Sequence, residues 1–388
     1  MVERSRGNTV RRNRRDQCVE RENGHRSGRG FYRSLFRGVE LSGRPGRRRV
    51  AALGALLATF ALSGHIAAAQ EAPAPITDIT AYTPVFEDAT SAYALGDMQR
   101  ALYLAEKLGN AGVPNAQVMA GHIHLRGETG LIDADAARVW YEKAAALAET
   151  DAYIALGEMA LRSLAGLSPS DAMPWMAKAA VLGRSDAKRA IGEMYLKGQG
   201  ITPDREKALD WIGQAADQND AIAVRQLADI EFETDPEHAL TLYERAADLG
   251  DYEAAYIAAI MLAENENKQA ALLRQAAEAG HAAAQADYGL LVYQGAGTER
   301  SIEDAAKWFE KSAKAGDSEG QYLYAFTLAK GEGVEKSFED AYFWLLRSGD
   351  SDIEDWQKDR SVFRKRLEDN VDKDILKRAK KRFDALSK

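Results

Sequence analysis

Small and apolar residues recur along this chain at helical spacing, and the helical stripes themselves recur about every 36 residues. The stretch His281–Gly316 shows the unit most clearly. Ala284, Tyr288, Gly289 and Val292 fall at intervals of three and four and mark one face of a first helix. Gly295 and Gly297 then bracket a turn. Ala305, Trp308, Phe309, Ser312 and Ala313 form the stripe of a second helix that stops at Gly316. Gly289 predicts a close approach of the two helices, with Trp308 and Phe309 filling the wedge between them.

Aligned on Ala305, the same position is held by Ala101, Ala137, Ala172, Ala208, Ala239, Gln269 and Ala341. The steps are 36, 35, 36, 31, 30, 36 and 36 residues. Both short steps coincide with a missing glycine loop, at Phe232–Pro236 and Glu264–Asn267, where a stack of hairpins tolerates a length change. Three residues after each anchor stand Leu104, Trp140, Trp175, Trp211, Leu242, Leu272, Trp308 and Trp344, which accounts for five of the six tryptophans. Gly112, Gly183, Asn219, Gly250, Gly280 and Gly316 share the position that ends each second helix and suit a left-handed C-cap. Asp220, Asp251 and Asp317 follow directly and are predicted to cap the next helix.

Ahead of the regular units, Tyr82–Gly112 reads as a degenerate first hairpin without the glycine loop. Beyond Gly349 the period ends, and Ile353–Leu367 and Val371–Leu386 are predicted as two charged helices. In the second, Ile375, Ala379, Phe383 and Leu386 form the apolar stripe, with acids leading and bases closing it. Covering the last repeat is the preferred role for this pair, ahead of an interaction helix for a membrane surface.

The pattern A-x-x-x-L/Y-G-x-x-Y, G-x-G, then A-x-x-W-Y/F-x-x-A-A-x-x-G resembles the Sel-one-like repeats, relatives of the tetratricopeptide repeats. Ala187, Ile191, Gly192 and Tyr195, then Gly198-Gln199-Gly200, then Ala208, Trp211, Ala215 and Ala216 carry it best. The resemblance runs from about Asn115 to Gly349. It implies an all-α fold: a right-handed α/α superhelix, or solenoid, of about seven or eight helix-turn-helix repeats over residues 84–350, with a C-terminal helical cap over 351–388. Cysteine-rich members of the family staple each helix pair with a disulfide. Here the single cysteine, Cys18, lies outside the repeats, so packing alone must hold the pairs.

In tetratricopeptide-like solenoids the first helices line a concave groove. Carried onto this sequence, groove positions lie one before and two, six and nine after each first-helix anchor. They fall on Arg189, Glu193, Arg225, Asp229 and Phe232, and further on Tyr256, Tyr293, Tyr322 and Phe326. A charged half followed by an aromatic half suits a peptide or an extended protein segment, since aromatics and arginine are enriched at binding hot spots. Ordinary partly buried contacts between repeats are an equally good reading of the same residues.

Charge and composition change the picture mainly at the N-terminus. The chain of 388 residues is 46% hydrophobic, enough for a substantial core. Residues 1–49 hold fifteen arginines, no lysine and five acids, a net of +10 (15 − 5); the remainder holds 36 bases and 54 acids, a net of −18. An acidic solenoid argues against nucleic acid as its ligand. Residues 1–46 read either as a disordered basic arm or as a stretch that is not translated, from a misplaced start; the second is preferred. Within 47–69, Arg47-Arg48-Arg49, the apolar run Val50–Gly64 and Ala67-Ala68-Ala69 read as a signal peptide cleaved before Gln70, with a membrane anchor over Val50–Ala69 as the alternative. Residues 70–83 then form a linker. This places the repeats in the periplasm or outside the cell, or on an inner-membrane anchor facing away from the cytoplasm.

No motif predicts catalysis. Ser185-Asp186-Ala187-Lys188 matches S-x-x-K, yet no S-D-N or K-T-G accompanies it and Ser185 falls at a helix start. Gly198-x-Gly200, Gly295-x-Gly297 and Gly331-x-Gly333 lack the lysine or third glycine of phosphate loops and follow helices rather than strands. His122 and His124 are two apart and point to different helix faces, His238 and His281 are isolated, and Asp133 and Asp135 lack the rest of a calcium loop. We therefore expect no cofactor and no metal. The expected function is a non-enzymatic, extracytoplasmic scaffold that binds a protein through its concave face. The resemblance implies a role in envelope signalling or polysaccharide export. A cell-wall or sugar-binding protein, or an envelope hydrolase, is the alternative.

Overall fold

The computed structural model describes residues 85–262, 265–349 and 354–386. The basic arm, the signal segment and the linker lie outside the described residues. Two compact units divide between Ala223 and Val224. All regular structure among the described residues is helical, and no described helix is long and apolar enough to cross a membrane.

The N-terminal unit stacks four hairpins: α1 (Phe86–Ala94) with α2 (Met98–Asn110), α3 (Pro114–Arg126) with α4 (Ala134–Ala146), α5 (Thr150–Leu161) with α6 (Ala172–Val181), and α7 (Ser185–Lys197) with α8 (Arg205–Ala216). The boundary falls inside α9 (Ala221–Glu231). The C-terminal unit then pairs α9 with α10 (Pro236–Asp248), α11 (Tyr252–Met261) with α12 (Glu266–Glu278), α13 (Ala282–Gln294) with α14 (Ile302–Lys314), and α15 (Ser318–Lys330) with α16 (Phe338–Arg347). Two further helices, α17 (Glu354–Asn370) and α18 (Lys373–Ala385), follow. Each unit is thus an α/α solenoid of helix hairpins.

The repeat register governs the core. The anchors Ala101, Ala137, Ala172, Ala208, Ala239, Ala305 and Ala341 are all fully buried. Gln269, the one polar anchor, is half-buried and donates to the Ala259 carbonyl at 3.1 Å. The close approach sits where the small residue predicts it. A Cβ on Gly192 would lie 2.5 Å from Ile212 Cγ1, and one on Gly289 would lie 2.7 Å from Phe309 Cε1. The wedge is therefore filled by the residue four after each anchor, which is fully buried at Tyr141, Met176, Ile212 and Leu345 and nearly so at Phe309.

The tryptophans lie one step to the side. Trp175, Trp211, Trp308 and Trp344 are half-buried, and Trp140 is buried. Lys143, Lys178, Lys311 and Arg347, each three residues on, lie over the rings of Trp140, Trp175, Trp308 and Trp344 at 3.9, 4.4, 4.0 and 5.3 Å. Four of the five thus share a cation over the ring, whereas Trp211 has Gln214 in that place.

Helix ends repeat as faithfully. Asp97, Asp133, Asp204, Asp235, Asn265, Ser301 and Ser337, each four before an anchor, accept from the backbone N–H three residues on at 2.9–3.2 Å. Asp133 is thus a helix cap and no part of a calcium loop. Asp220, Asp251 and Asp317 cap the first helices at 3.0, 2.8 and 2.7 Å, as the sequence predicts. His281 does the same through Nδ1 at 3.0 Å.

The residues closing the second helices take positive φ, from +62° at Asn219 to +98° at Gly250. The equivalent place after α4 is held by Ala148 at +60°, exposed to solvent. An L-residue with a Cβ is strained there. We expect Ala148→Gly to raise stability by about 0.5–1 kcal/mol, relief of strain outweighing the added freedom of the unfolded chain. Urea unfolding midpoints would check it, and a loss of stability would contradict the strain.

Beyond α16, Phe363 of α17 packs edge-on to Tyr322 and Phe326 of α15, with ring centroids at 6.0 and 5.8 Å. The buried Arg360 donates to the carbonyls of Ser348 and Ser318 at 3.1 and 3.0 Å. On α18, Arg378 and Arg382 bond Glu339 and Asp340 of α16 at 2.7 and 2.8 Å. Of the stripe predicted for α18, Ala379 is buried and Ile375 and Phe383 half-buried, but Leu386 is exposed, because α18 ends at Ala385 and Leu386 is its C-cap.

Candidate interaction face

On the first helices, side chains two and six after each anchor stand on one face, and the structure ties several of them into the stack. In the N-terminal unit, Arg189 of α7 is only 7% exposed. Its Nη1 donates to Glu193 at 3.2 Å, and its Nε lies 3.4 Å from Asp220 at the next helix start. Lys197 donates to Glu193 as well, at 2.9 Å.

The C-terminal unit repeats the device. Arg225 of α9 donates to Asp251 at 2.9 Å and lies 3.6 Å from Asp229. The Tyr243 hydroxyl donates to Asp229 at 2.6 Å. Each arginine thus forms an ion pair with the aspartate that caps the start of the following first helix.

The aromatic residues divide into three environments. Tyr256 of α11 is half-buried, its hydroxyl donating to Asp287 at 3.2 Å and its ring 4.2 Å from His281. Burial holds the Asp287 carboxyl above the ordinary range, with nearby Asp317 adding to the shift. Tyr293 of α13 donates to Glu332 at 2.7 Å; burial, then that bond, push its hydroxyl up to about 12. Tyr322, only 5% exposed, is covered together with Phe326 by Phe363.

Phe232 stands apart, at the end of α9 and 41% exposed. Ile260, six after the anchor on α11, is 47% exposed. Ile260 also satisfies the groove register, although its short hairpin lacks the glycine loop. His281 and Asp287, which complete the Tyr256 cluster, were not legible as groove residues. His122 and Glu158 hold the position six after the anchor on α3 and α5, and both are half-buried. His124 bonds Glu106 at 2.9 Å, while His122 lies against Tyr141, so the two histidines do face different surroundings. Among the described residues no group of His, Cys, Asp and Glu is placed to hold a metal ion.

Sequence comparison finds the Sel1 repeat at residues 114–148, 185–220, 232–251, 282–317 and 318–352. Curated proteins give no match to the sequence. Among solved structures, the chain is similar to a Sel1 repeat protein from Oxalobacter formigenes, 24% identical over 70% of this chain and 87% of that one, with a TM-score of 0.53. It is also similar to c5321, a protective antigen of uropathogenic Escherichia coli strains displaying an SLR fold, 21% identical over 75% of this chain and 82% of that one, with a TM-score of 0.41. The stacked hairpins, their repeated caps and notches, and five matched repeats lead to one conclusion: the chain belongs to the Sel1 repeat proteins.

Proposed function

We propose that the protein is an exported, non-enzymatic scaffold that binds an extended segment of an envelope protein along its first-helix faces, in the regulation of envelope signalling or polysaccharide export. The fold is of a kind typical of protein–protein interaction. The observation that carries the reading is the exposure of Phe232 and Ile260 on first-helix positions where neighbouring side chains are tied into the stack. In the same unit, Arg225 and Asp229 of α9 and Tyr256 of α11 hold the charged and aromatic register positions. Export rests on Arg47-Arg48-Arg49, the apolar run Val50–Gly64 and the small residues before Gln70.

A photo-crosslinking residue at position 232, compared with one at Val139 on a second helix, tests the reading in cells. Val139 is 50% exposed, so the two positions differ in face rather than accessibility. One stoichiometric protein adduct from position 232 and none from 139 is expected, on a chain whose mature N-terminus is Gln70. Equal adducts at both positions, or retention on purified peptidoglycan without a protein adduct, would overturn it.

A further inference from the structure

The helix α17, outside the repeat period, lies against the first helix of the last hairpin. Phe363 meets Tyr322 and Phe326 of α15 edge-on, at the positions two and six after the anchor Gly320. The guanidinium carbon of Arg360 is 5.7 Å from the centre of the Tyr322 ring. Its nitrogens donate to the carbonyls of Ser318, in the first turn of α15, and Ser348, the C-cap of α16. Among the described side chains of α17, Arg360, Phe363 and Leu367 are the buried ones. Their spacing of three and four puts them on one face of the helix.

This is the geometry of a helix bound to a groove by anchors at helical spacing. Here the occupant comes from the chain itself, and it covers its site without satisfying it. Tyr322 is buried beneath α17, yet its hydroxyl has no hydrogen-bond partner among the described residues. At the same register on α11, the Tyr256 hydroxyl donates to Asp287. A buried polar group left unpaired is costly, so an occupant that brings an acceptor to Tyr322 holds the site more tightly than α17 does.

The buried face of α17 is narrow. Its other described side chains are half-buried or exposed, and most are charged or polar. Glu368, one of the exposed ones, accepts from the Tyr342 hydroxyl of α16 at 2.8 Å. The helix that follows keeps its own hold on the last hairpin, since Arg378 and Arg382 of α18 bond Glu339 and Asp340 of α16. Thus α17 can lift from α15 while α18 stays docked.

We propose that the Tyr322–Phe326 face of α15 is a docking site for an amphipathic helix of a protein partner, with α17 occupying it until that partner arrives. The partner helix carries arginine, phenylalanine three residues on and leucine four further, the pattern that α17 itself presents. The proposal rests on the reading that the first-helix faces take a protein partner. Competition from α17 lowers the partner's apparent affinity by the fraction of time the site is free. A helix that also supplies the acceptor Tyr322 lacks overcomes that competition, which makes the contact selective.

The test uses the full chain and a fluorescent peptide of residues 354–370, read by anisotropy. A hydrocarbon bridge between positions 358 and 362, both exposed on α17, holds the peptide helical. Phe363→Ala in the chain loosens the resident helix and should raise the peptide's affinity about tenfold over the parent chain. Arg360→Gln, which leaves the apolar contact in place, should raise it about threefold. In the Phe363→Ala chain, adding Phe326→Ala, or giving the peptide alanine at position 363, should weaken binding about tenfold. Equal affinity for the parent and both loosened chains, no binding to either, or binding indifferent to both phenylalanines would overturn the site. The parent chain should sediment as a monomer; a dimer that the peptide disperses would assign the place to α17 of a second copy and overturn the partner. Failure of the peptide with the adduct at position 232 still recovered removes the α15 site alone. Loss of that adduct with the peptide bound as expected removes the wider reading alone.

Discussion

Gly297→Ala is expected to cost about 3 kcal/mol of unfolding free energy, more than any other single methyl group added to the glycine loops. Two terms contribute. Gly297 has φ +64°, where an alanine pays about 1–2 kcal/mol. The added Cβ would also lie 2.1 Å from the Glu266 carbonyl oxygen at the start of α12, and backbone cannot swing aside as a side chain can. Overpacking of that kind costs about 1–3 kcal/mol. Gly280→Ala separates the terms, since φ is +96° there and nothing lies within 4 Å of the new Cβ. Its loss should be about 1 kcal/mol. Urea unfolding of both variants decides the matter, and equal losses would remove the packing term.

Phe363→Ala should cost about 3 kcal/mol, the usual range for a buried phenylalanine truncated to alanine. Phe363 is the ring that α17 lays against Tyr322 and Phe326, and without it two aromatic faces on α15 lose their cover. Arg360 should feel the same change, because its bonds to the Ser348 and Ser318 carbonyls depend on α17 staying in place. Hydrogen exchange should therefore speed up across α17 well before the rest of the C-terminal unit opens. Uniform acceleration through α9–α16 would show instead that α17 and its neighbours unfold as one piece. No change in melting temperature would contradict the packing.

Much of this architecture could be read from spacing because a repeat states the same physical requirement many times. One glycine at position 192 is weak evidence for a close helix pair, but Gly121, Gly157, Gly192 and Gly289 in one register are strong. The wedge shows the limit of that reading. Trp308 and Phe309 are adjacent, and hydrophobicity alone cannot say which turns inward; the structure buries Phe309 and leaves Trp308 beneath Lys311. The caps four before each anchor were legible in principle as Asp, Asn or Ser, yet their signal is shared with any loop.

The interaction face was less legible, for a different reason. Arg189 and Arg225 are the residue types that partners favour, and they also suit an internal tie to Asp220 and Asp251. Only distance separates those uses, and distance is not written in the chain. Tyr322 was chosen by register, but register could not foresee that α17, outside the period, would cover it.

The second glycines of the loops have a wider consequence. Gly200, Gly297 and Gly333 each rest on the backbone of Pro169, Glu266 and Ile302, in every case 31 residues earlier (200 − 169, 297 − 266, 333 − 302). Each of these hairpins carries a latch for its predecessor rather than for itself. Tandem copying of such a segment would duplicate latch and keeper together, so an array of this type can lengthen by whole periods without inventing a new joint. A cut made out of phase would leave a latch with nothing to close on.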